Sequence, residues 1–301
     1  MSIVTLCNGV NYDLSLIGSK AMNLSKMAKL FNHIPDGFIL TGEAFKAFLS
    51  LNNIETSNNE RIQLEILQGE FPDEMKRYIF MHFKGLKINT DTYAVAVRSS
   101  SALEDLRGAS FAGQYETILN VRSEEELLHS IKRCWASYFS SYVQDYAMKN
   151  QISLSDVKMG VLVQGMVDAD VAGVIFSMNP VTFSNQEIII NASYGLGESV
   201  VDGLVTPDSF VLNKESAVIT KELGLKDIQV IPLETGTEKA EVPPSLQEVF
   251  CLEDEKLIAL MDITKKIENY YQHPVDIEFA IKNNQLYILQ VRPITTLKGE
   301  K

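Results

Sequence analysis

Arg98 is followed without interruption by Ser99, Ser100, Ser101 and Ala102. A guanidinium presents a rigid fork of donors that matches phosphate oxygens, and small side chains let a backbone come close to a ligand. A second patch of small residues, Ala109 to Gly113, precedes Thr117. Near the start, Gly18-Ser19-Lys20 leads into a helical pattern. A helix N-terminus offers unpaired N–H groups and a positive dipole end, and Lys20 adds a cation there. Near the end, Glu278 and Gln290 lie on two strand-like runs. If Asn283, Asn284 and Gln285 form the turn between them, Glu278 stands opposite Gln290 and Arg292 shares their face. A carboxylate beside a carboxamide oxygen is a hard ligand pair suited to Mg²⁺, and an adjacent Arg neutralises phosphate. Gln164 is a polar residue inside an apolar run. Each of these has a plain alternative on spacing alone: a polar surface loop, a solvated lysine, an exposed hairpin face, a strand residue on a wet side.

The elements that must position these groups are read from periodicity. Tyr93–Val97 is a β-branched, apolar run that reads as a buried strand stopping at Arg98, and Thr117–Val121 reads as another. Leu24, Met27, Ala28 and Phe31 recur at helical spacing after Lys20. Phe38–Leu40 reads as a strand, Glu43–Leu51 as a helix and Asn52–Glu60 as a loop. Ile62–Lys84 is helical with a break at Phe71-Pro72-Asp73. Ser123 with Glu126 forms a capping box, and Leu127, Ile131, Trp135, Tyr138, Tyr142 and Tyr146 make a core-facing stripe. Met159–Val167 and Val171–Met178 read as a hairpin around Asp168-Ala169-Asp170. Ile188–Ala192 is a strand, residues 213–245 give no clear reading, and Leu246–Tyr271 is a helix with Val249, Leu257, Leu260 and Ile267 inward. Val275–Ile281 alternates as a half-buried strand, and Leu286–Arg292 is its return.

The 301 residues suffice for one large domain or two lobes, and 46% apolar content can fill a sizeable core. With 39 acidic against 27 basic residues the formal charge is −12, and no Lys/Arg block points to a nucleic-acid partner. Three widely spaced cysteines, Cys7, Cys134 and Cys251, match neither a zinc site nor a disulfide framework. Neither a signal peptide nor a bilayer-length apolar run is read, so the expectation is a soluble, cytoplasmic protein without a membrane partner.

Val97-Arg98-Ser99-Ser100-Ser101-Ala102-Leu103-Glu104-Asp105-Leu106, continuing to Ser110-Phe111-Ala112-Gly113-Gln114-Tyr115-Glu116-Thr117, resembles the signature of the ATP-binding domain of phosphoenolpyruvate synthases, pyruvate phosphate dikinases and rifampicin phosphotransferases. Further segments match in the family's order. Gly18-Ser19-Lys20 with Asn23-Leu24 is similar to its Gly-Gly-Lys-x-x-Asn-Leu motif, although the first glycine is Ile17 or Ser19 here. Pro35-Asp36-Gly37-Phe38, Val163-Gln164-Gly165-Met166-Val167, Ser177 to Thr182, Gly195-Leu196-Gly197-Glu198 with Thr206-Pro207-Asp208, and Asp276 to Thr295 follow.

The resemblance implies an α+β, ATP-grasp-like fold, with residues 1–301 forming a single ATP-binding domain of two lobes closing on the nucleotide and a hinge near 160–170. It implies ATP and Mg²⁺ as cofactors. Lys20, Arg98 and Arg292 would contact phosphates and carry the charge of the transfer, Gly113 and Thr117 would contact nucleotide, Gln164 would bond ribose or base, and Met166 would pack on adenine. Glu278 and Gln290 would hold Mg²⁺, and Gly195–Glu198 with Thr206–Asp208 would form a loop near the nucleotide. Family members pass ATP's pyrophosphoryl group to a carrier histidine, release AMP, and then phosphorylate an acceptor. His33, His82, His129 and His273 do not sit in a Thr-Ser-His-like carrier context, so the carrier histidine and the small-molecule acceptor site are expected on another domain or chain. The alternatives are a self-sufficient small-molecule kinase or ligase, and a nucleotide-sensing subunit without turnover.

Overall fold

The structure is a computed structural model that describes residues 2–57, 60–86, 94–102, 105–106, 109–110, 115–149, 159–216 and 219–294. It is an α+β protein of mixed helix and antiparallel sheet. The chain divides into two compact units, Met1–Met166 and Val167–Lys301.

The first unit is built on a five-stranded sheet. Its strands are β1 (Ile3–Thr5), β2 (Gly37–Leu40), β3 (Val95–Ser101), β6 (Thr117–Val121) and β7 (Met159–Gly165), in the order β1-β2-β7-β3-β6. The two-residue strands β4 (Asp105–Leu106) and β5 (Ala109–Ser110) pair with each other. Alternation sends side chains to two faces. Phe38, Leu40, Val161 and Val163 join one apolar cluster, whereas Ile39 and Leu162 join another with Ile17, Ala21 and Leu24 of α1 (Leu14–Leu30). The first cluster is closed by α2 (Gly42–Leu51), α3 (Ile62–Gln68), α4 (Asp73–Gly85) and α5 (Glu124–Ser137), where Trp135 stacks on Phe45 with ring centroids 4.8 Å apart.

The capping box starts α5: Ser123 Oγ accepts from the Glu126 N–H at 3.1 Å and Glu126 Oε2 from the Ser123 N–H at 3.2 Å. The aromatic stripe is core from Leu127 through Tyr138, but Tyr142 is exposed. The helix breaks after Ser137 and restarts as α6 (Ser141–Lys149), which resets the face.

Two expectations about strands are corrected. The strand containing Arg98 does not stop there; it continues to Ser101, because Ser99, Ser100 and Ser101 pair with Val161, Gly160 and Met159 of β7. Ser99 Oγ also donates to the Glu116 carbonyl at 2.9 Å, so a small hydroxyl satisfies itself inside the sheet. Met159–Val167 and Val171–Met178 are not a hairpin. Both edges of β7 are already taken, by β2 and β3, so the following strand belongs to a different sheet.

That second sheet has six strands in the order β11-β10-β9-β8-β14-β15. They are β8 (Val171–Phe176), β9 (Glu187–Tyr194), β10 (Asp208–Asn213), β11 (Ile219–Glu222), β14 (Val275–Lys282) and β15 (Gln285–Pro293). The short helix α7 (Glu198–Val201) follows β9, and the ribbon β12 (Ile228–Pro232)–β13 (Thr237–Glu241) is bridged to it at Gly195 and Val230. α8 (Pro244–Gln247) precedes α9 (Asp254–Tyr271), which packs against β14. Leu257, Leu260 and Ile267 are buried as expected, but Val249 is exposed: it lies between α8 and α9, in a stretch that is not helical.

The stretch 213–245 supplies Lys226 to a fully buried ion pair. Lys226 Nζ lies 2.6 Å from Asp208 Oδ1, and both side chains are fully buried. Asp208 also accepts from the N–H groups of Gly224 at 2.9 Å and Cys251 at 2.7 Å. Asp208 is therefore a structural anchor at the start of β10.

Candidate nucleotide and metal site residues

In the first unit the local geometry starts at Gly18. Its φ of 78° interrupts α1, and an added Cβ there would lie 2.0 Å from the Ser100 carbonyl oxygen. Only glycine combines that backbone with so close an approach. It is this glycine that the geometry requires, which explains why Ile17 and Ser19 are tolerated on either side. Ser100 Oγ accepts from the Ala21 N–H at 3.0 Å, so one donor of the restarted helix is satisfied by the protein itself. Lys20 sits in that first turn and is only 9% exposed.

Arg98 is also 9% exposed and stands directly opposite Thr117 on β6 and Leu162 on β7. Gln164 lies two residues beyond Leu162, opposite Ala96. By strand alternation Arg98, Ser100, Thr117, Leu162 and Gln164 share the sheet face on which α1 packs. The structure thus brings Arg98, Thr117 and Gln164 onto one face beside the turn holding Lys20. Gln164 is 1% exposed, and its Nε2 has no hydrogen-bond partner among the described residues. A buried amide donor left unmatched is costly, so such a group calls for an acceptor. Met166 is buried, and its Sδ takes the Asn120 N–H at 3.0 Å, which fixes the thioether against β6. Gly113 lies outside the described residues.

In the second unit Glu278 and Gln290 face each other in register, and Gln290 Nε2 donates to Glu278 Oε1 at 3.0 Å. The expected pairing is reached by another route. The turn has two residues, Asn283 and Asn284, both with positive φ, and a bulge between Glu278 and Phe279 restores the register that a three-residue loop would have set. Arg292 shares the face, but it stands opposite Asp276 and grips it with two bonds, Nε to Oδ1 and Nη2 to Oδ2, each 2.9 Å. This bidentate pair offsets much of the guanidinium charge locally. Asp276 was legible on the alternating face, two residues before Glu278; its bond to Arg292 needed the register.

Glu278 and Gln290 are hard side chains of a kind Mg²⁺ accepts, but here the Gln290 amide nitrogen occupies one carboxylate oxygen, so they would supply at most part of a site, with the remaining positions left to water and phosphate. Among the described residues no group of three or more His, Cys, Asp or Glu side chains is arranged to hold a metal. A metal at Glu278 would therefore depend on ligands that a nucleotide brings. No helix among the described residues is long and apolar enough to cross a membrane.

Comparison with known proteins shows the family. Residues 14–301 match the family described as "Pyruvate phosphate dikinase, AMP/ATP-binding domain". An uncharacterized phosphotransferase, YvkC, of Bacillus subtilis is 47% identical over 95% of this chain and 34% of its own length. A probable phosphoenolpyruvate synthase of Methanothermobacter thermautotrophicus is 35% identical over 95% of this chain and 45% of its own. The rifampicin phosphotransferase of Bacillus cereus is 33% identical over 94% of this chain and 35% of its own. The chain thus spans between about a third and under half of the length of these relatives. A solved D-alanine–D-alanine ligase from Bacillus anthracis aligns over 96% of this chain and 58% of its own with a TM-score of 0.33 and 9% identity. The match across nearly the whole chain places it plainly: this protein belongs to the family of the pyruvate phosphate dikinase AMP/ATP-binding domain.

Proposed function

We propose that this chain is the Mg²⁺·ATP-binding part of a phosphohistidine-dependent dikinase or phosphotransferase. In this reading a carrier histidine on another domain or chain attacks the β-phosphorus of ATP. The bond from that phosphorus to the oxygen bridging it to the α-phosphate breaks, and AMP leaves. Water then attacks the terminal phosphorus of the pyrophosphorylated histidine and carries it off as inorganic phosphate, and the phosphohistidine that remains passes its phosphoryl group to a small acceptor. The relatives named for phosphoenolpyruvate synthesis and for rifampicin phosphorylation support an acceptor such as pyruvate or an antibiotic hydroxyl.

The observation that carries the reading is the pairing of Glu278 with Gln290 at 3.0 Å on the hairpin that carries the family motif. Bound there, Mg²⁺ would supply Lewis-acid neutralisation of phosphate charge. The chain's own groups do the rest by position and electrostatics, which dominate phosphoryl transfer. In the first unit Lys20 and Arg98 counter phosphate oxygens and Thr117 and Gly113 contact the nucleotide; in the second, Arg292, its plane held by Asp276, is a further phosphate-binding group. The Gln164 amide gains its missing acceptor from ribose or base, and Met166 gives an apolar surface to adenine.

The test is chromatographic separation of ATP, ADP and AMP after incubation with Mg²⁺, alone and with a relative's carrier-histidine domain. AMP that accumulates only with the carrier supports the proposal. Rapid ADP formation with a small acceptor and no carrier refutes it in favour of a self-sufficient kinase.

A further inference from the structure

We propose that Asn191 is a further residue of the metal and phosphate site of the second unit, its side-chain amide donating to a phosphate oxygen of the bound nucleotide; this rests on the reading above that the chain binds Mg²⁺·ATP. The antiparallel register places Gln290 of β15 opposite Glu278 of β14, Glu278 opposite Val174 of β8, and Val174 opposite Asn191 of β9. Residues directly opposite each other in such a sheet send their side chains to the same face. The four therefore form one row across adjacent strands. β15 is the edge of the sheet. From the Glu278–Gln290 pair the row continues only toward β8 and β9, where Val174 is short and apolar and Asn191 is the first polar group met.

The composition of β9 sets Asn191 apart. It follows Ile188, Ile189 and Ile190 in a strand that is hydrogen-bonded on both sides, to β8 and to β10. Asn is depleted in strand interiors, where β-branched residues fit best. Asn191 is half-buried, and its side-chain amide enters none of the hydrogen bonds among the described residues. The charged groups of the same face are matched, Glu278 with Gln290 and Asp276 with Arg292. Sheet spacing decides what Asn191 can meet. Two strand steps separate it from Glu278, about 10 Å, whereas Mg²⁺ holds its ligands at about 2.0–2.1 Å. Asn191 is too far away to share the ion. A polyphosphate held by that ion extends beyond it, and an uncharged N–H donor suits its outer oxygens.

Stability and affinity should move in opposite directions. Asn191→Val puts a good strand former at the position, so this variant should melt no lower than the unsubstituted chain. It should nevertheless bind Mg²⁺·ATP about ten-fold more weakly, the low end for a hydrogen bond to a charged group. Mg²⁺·tripolyphosphate, used as a competitor, should lose the same factor, and adenosine nothing. Asn191→Asp has nearly the native shape and should bind Mg²⁺·ATP more weakly still, because its carboxylate faces phosphate. It also keeps the test open should the valine variant fail to fold. Calorimetric titrations and thermal melts supply every readout. Unchanged Mg²⁺·ATP affinity in both variants, equal losses for ATP and adenosine, or a valine variant that melts lower overturns the proposal. An unsubstituted chain that binds no Mg²⁺·ATP overturns the nucleotide reading and the role of Asn191 with it, whereas unchanged binding in the variants overturns the role of Asn191 alone.

Discussion

Breaking the Asp208–Lys226 pair should destabilise the second unit more than any other single polar change. The two groups are 2.6 Å apart and fully buried, and besides Asp208 the Lys226 ammonium has, among the described residues, the carbonyls of Gly224 at 3.1 Å and Gln247 at 3.3 Å. Asp208→Asn strands a buried cation. Lys226→Met leaves a buried carboxylate with the N–H groups of Gly224 and Cys251. Removing one partner of a buried ion pair costs about 3–5 kcal/mol. At about 2–4 °C per kcal/mol for a unit of this size, each single change should lower Tm by roughly 10 °C. The double variant Asp208→Asn with Lys226→Met carries neither stranded charge, so its loss should fall short of the sum by about 2 kcal/mol or more. Thermal melts of the four proteins of this cycle, followed by calorimetry, give the coupling directly. Additive losses, or single losses below about 1 kcal/mol, would show that water reaches the pair and that the anchoring argument is wrong.

Three further outcomes follow from named contacts. Glu278→Ala or Gln290→Ala should weaken ATP binding about ten-fold when Mg²⁺ is present and little when it is absent; equal losses in both titrations would reduce the pair to a hairpin contact. Arg98→Ala should cost about 1.5–3 kcal/mol of ATP affinity, and much less for adenosine, if the guanidinium meets phosphate; competitive titration of both ligands decides it, and equal losses would make Arg98 structural. Burial, with help from Asp202, raises the Glu198 carboxyl above its ordinary pKa. The native state then holds that proton more tightly than the unfolded chain, so stability falls as pH rises through the raised value. Glu198→Gln should therefore raise Tm at neutral pH and lose its advantage below about pH 4, where both states are protonated; a constant difference across pH would exclude the charge as the cause.

Much of this protein is written in local chemistry. The capping box at Ser123, the break between α3 and α4, the inward face of α9 and the alternating faces of β14 depend on neighbours a few residues apart. Periodicity and capping therefore report them. The Glu278–Gln290 pairing was also legible, because two short alternating runs close to each other in sequence can meet in few ways. Its actual basis, a two-residue turn compensated by a bulge, was not, since an inserted residue leaves the side-chain pattern almost unchanged. The longer-range features needed the tertiary structure. Apolar runs at 159–167 and 171–178 look like a hairpin until β2 and β3, from far earlier in the chain, occupy both edges of β7. Arg98 looks like the end of a strand until β7 supplies partners for the serines after it. Asp208 reads as part of a loop and Lys226 falls in a stretch with no clear reading, because nothing nearby in sequence tells a lysine that it will lose its water. Only the closure of three separate segments around β10 makes them an ion pair, and that closure is a property of the folded chain.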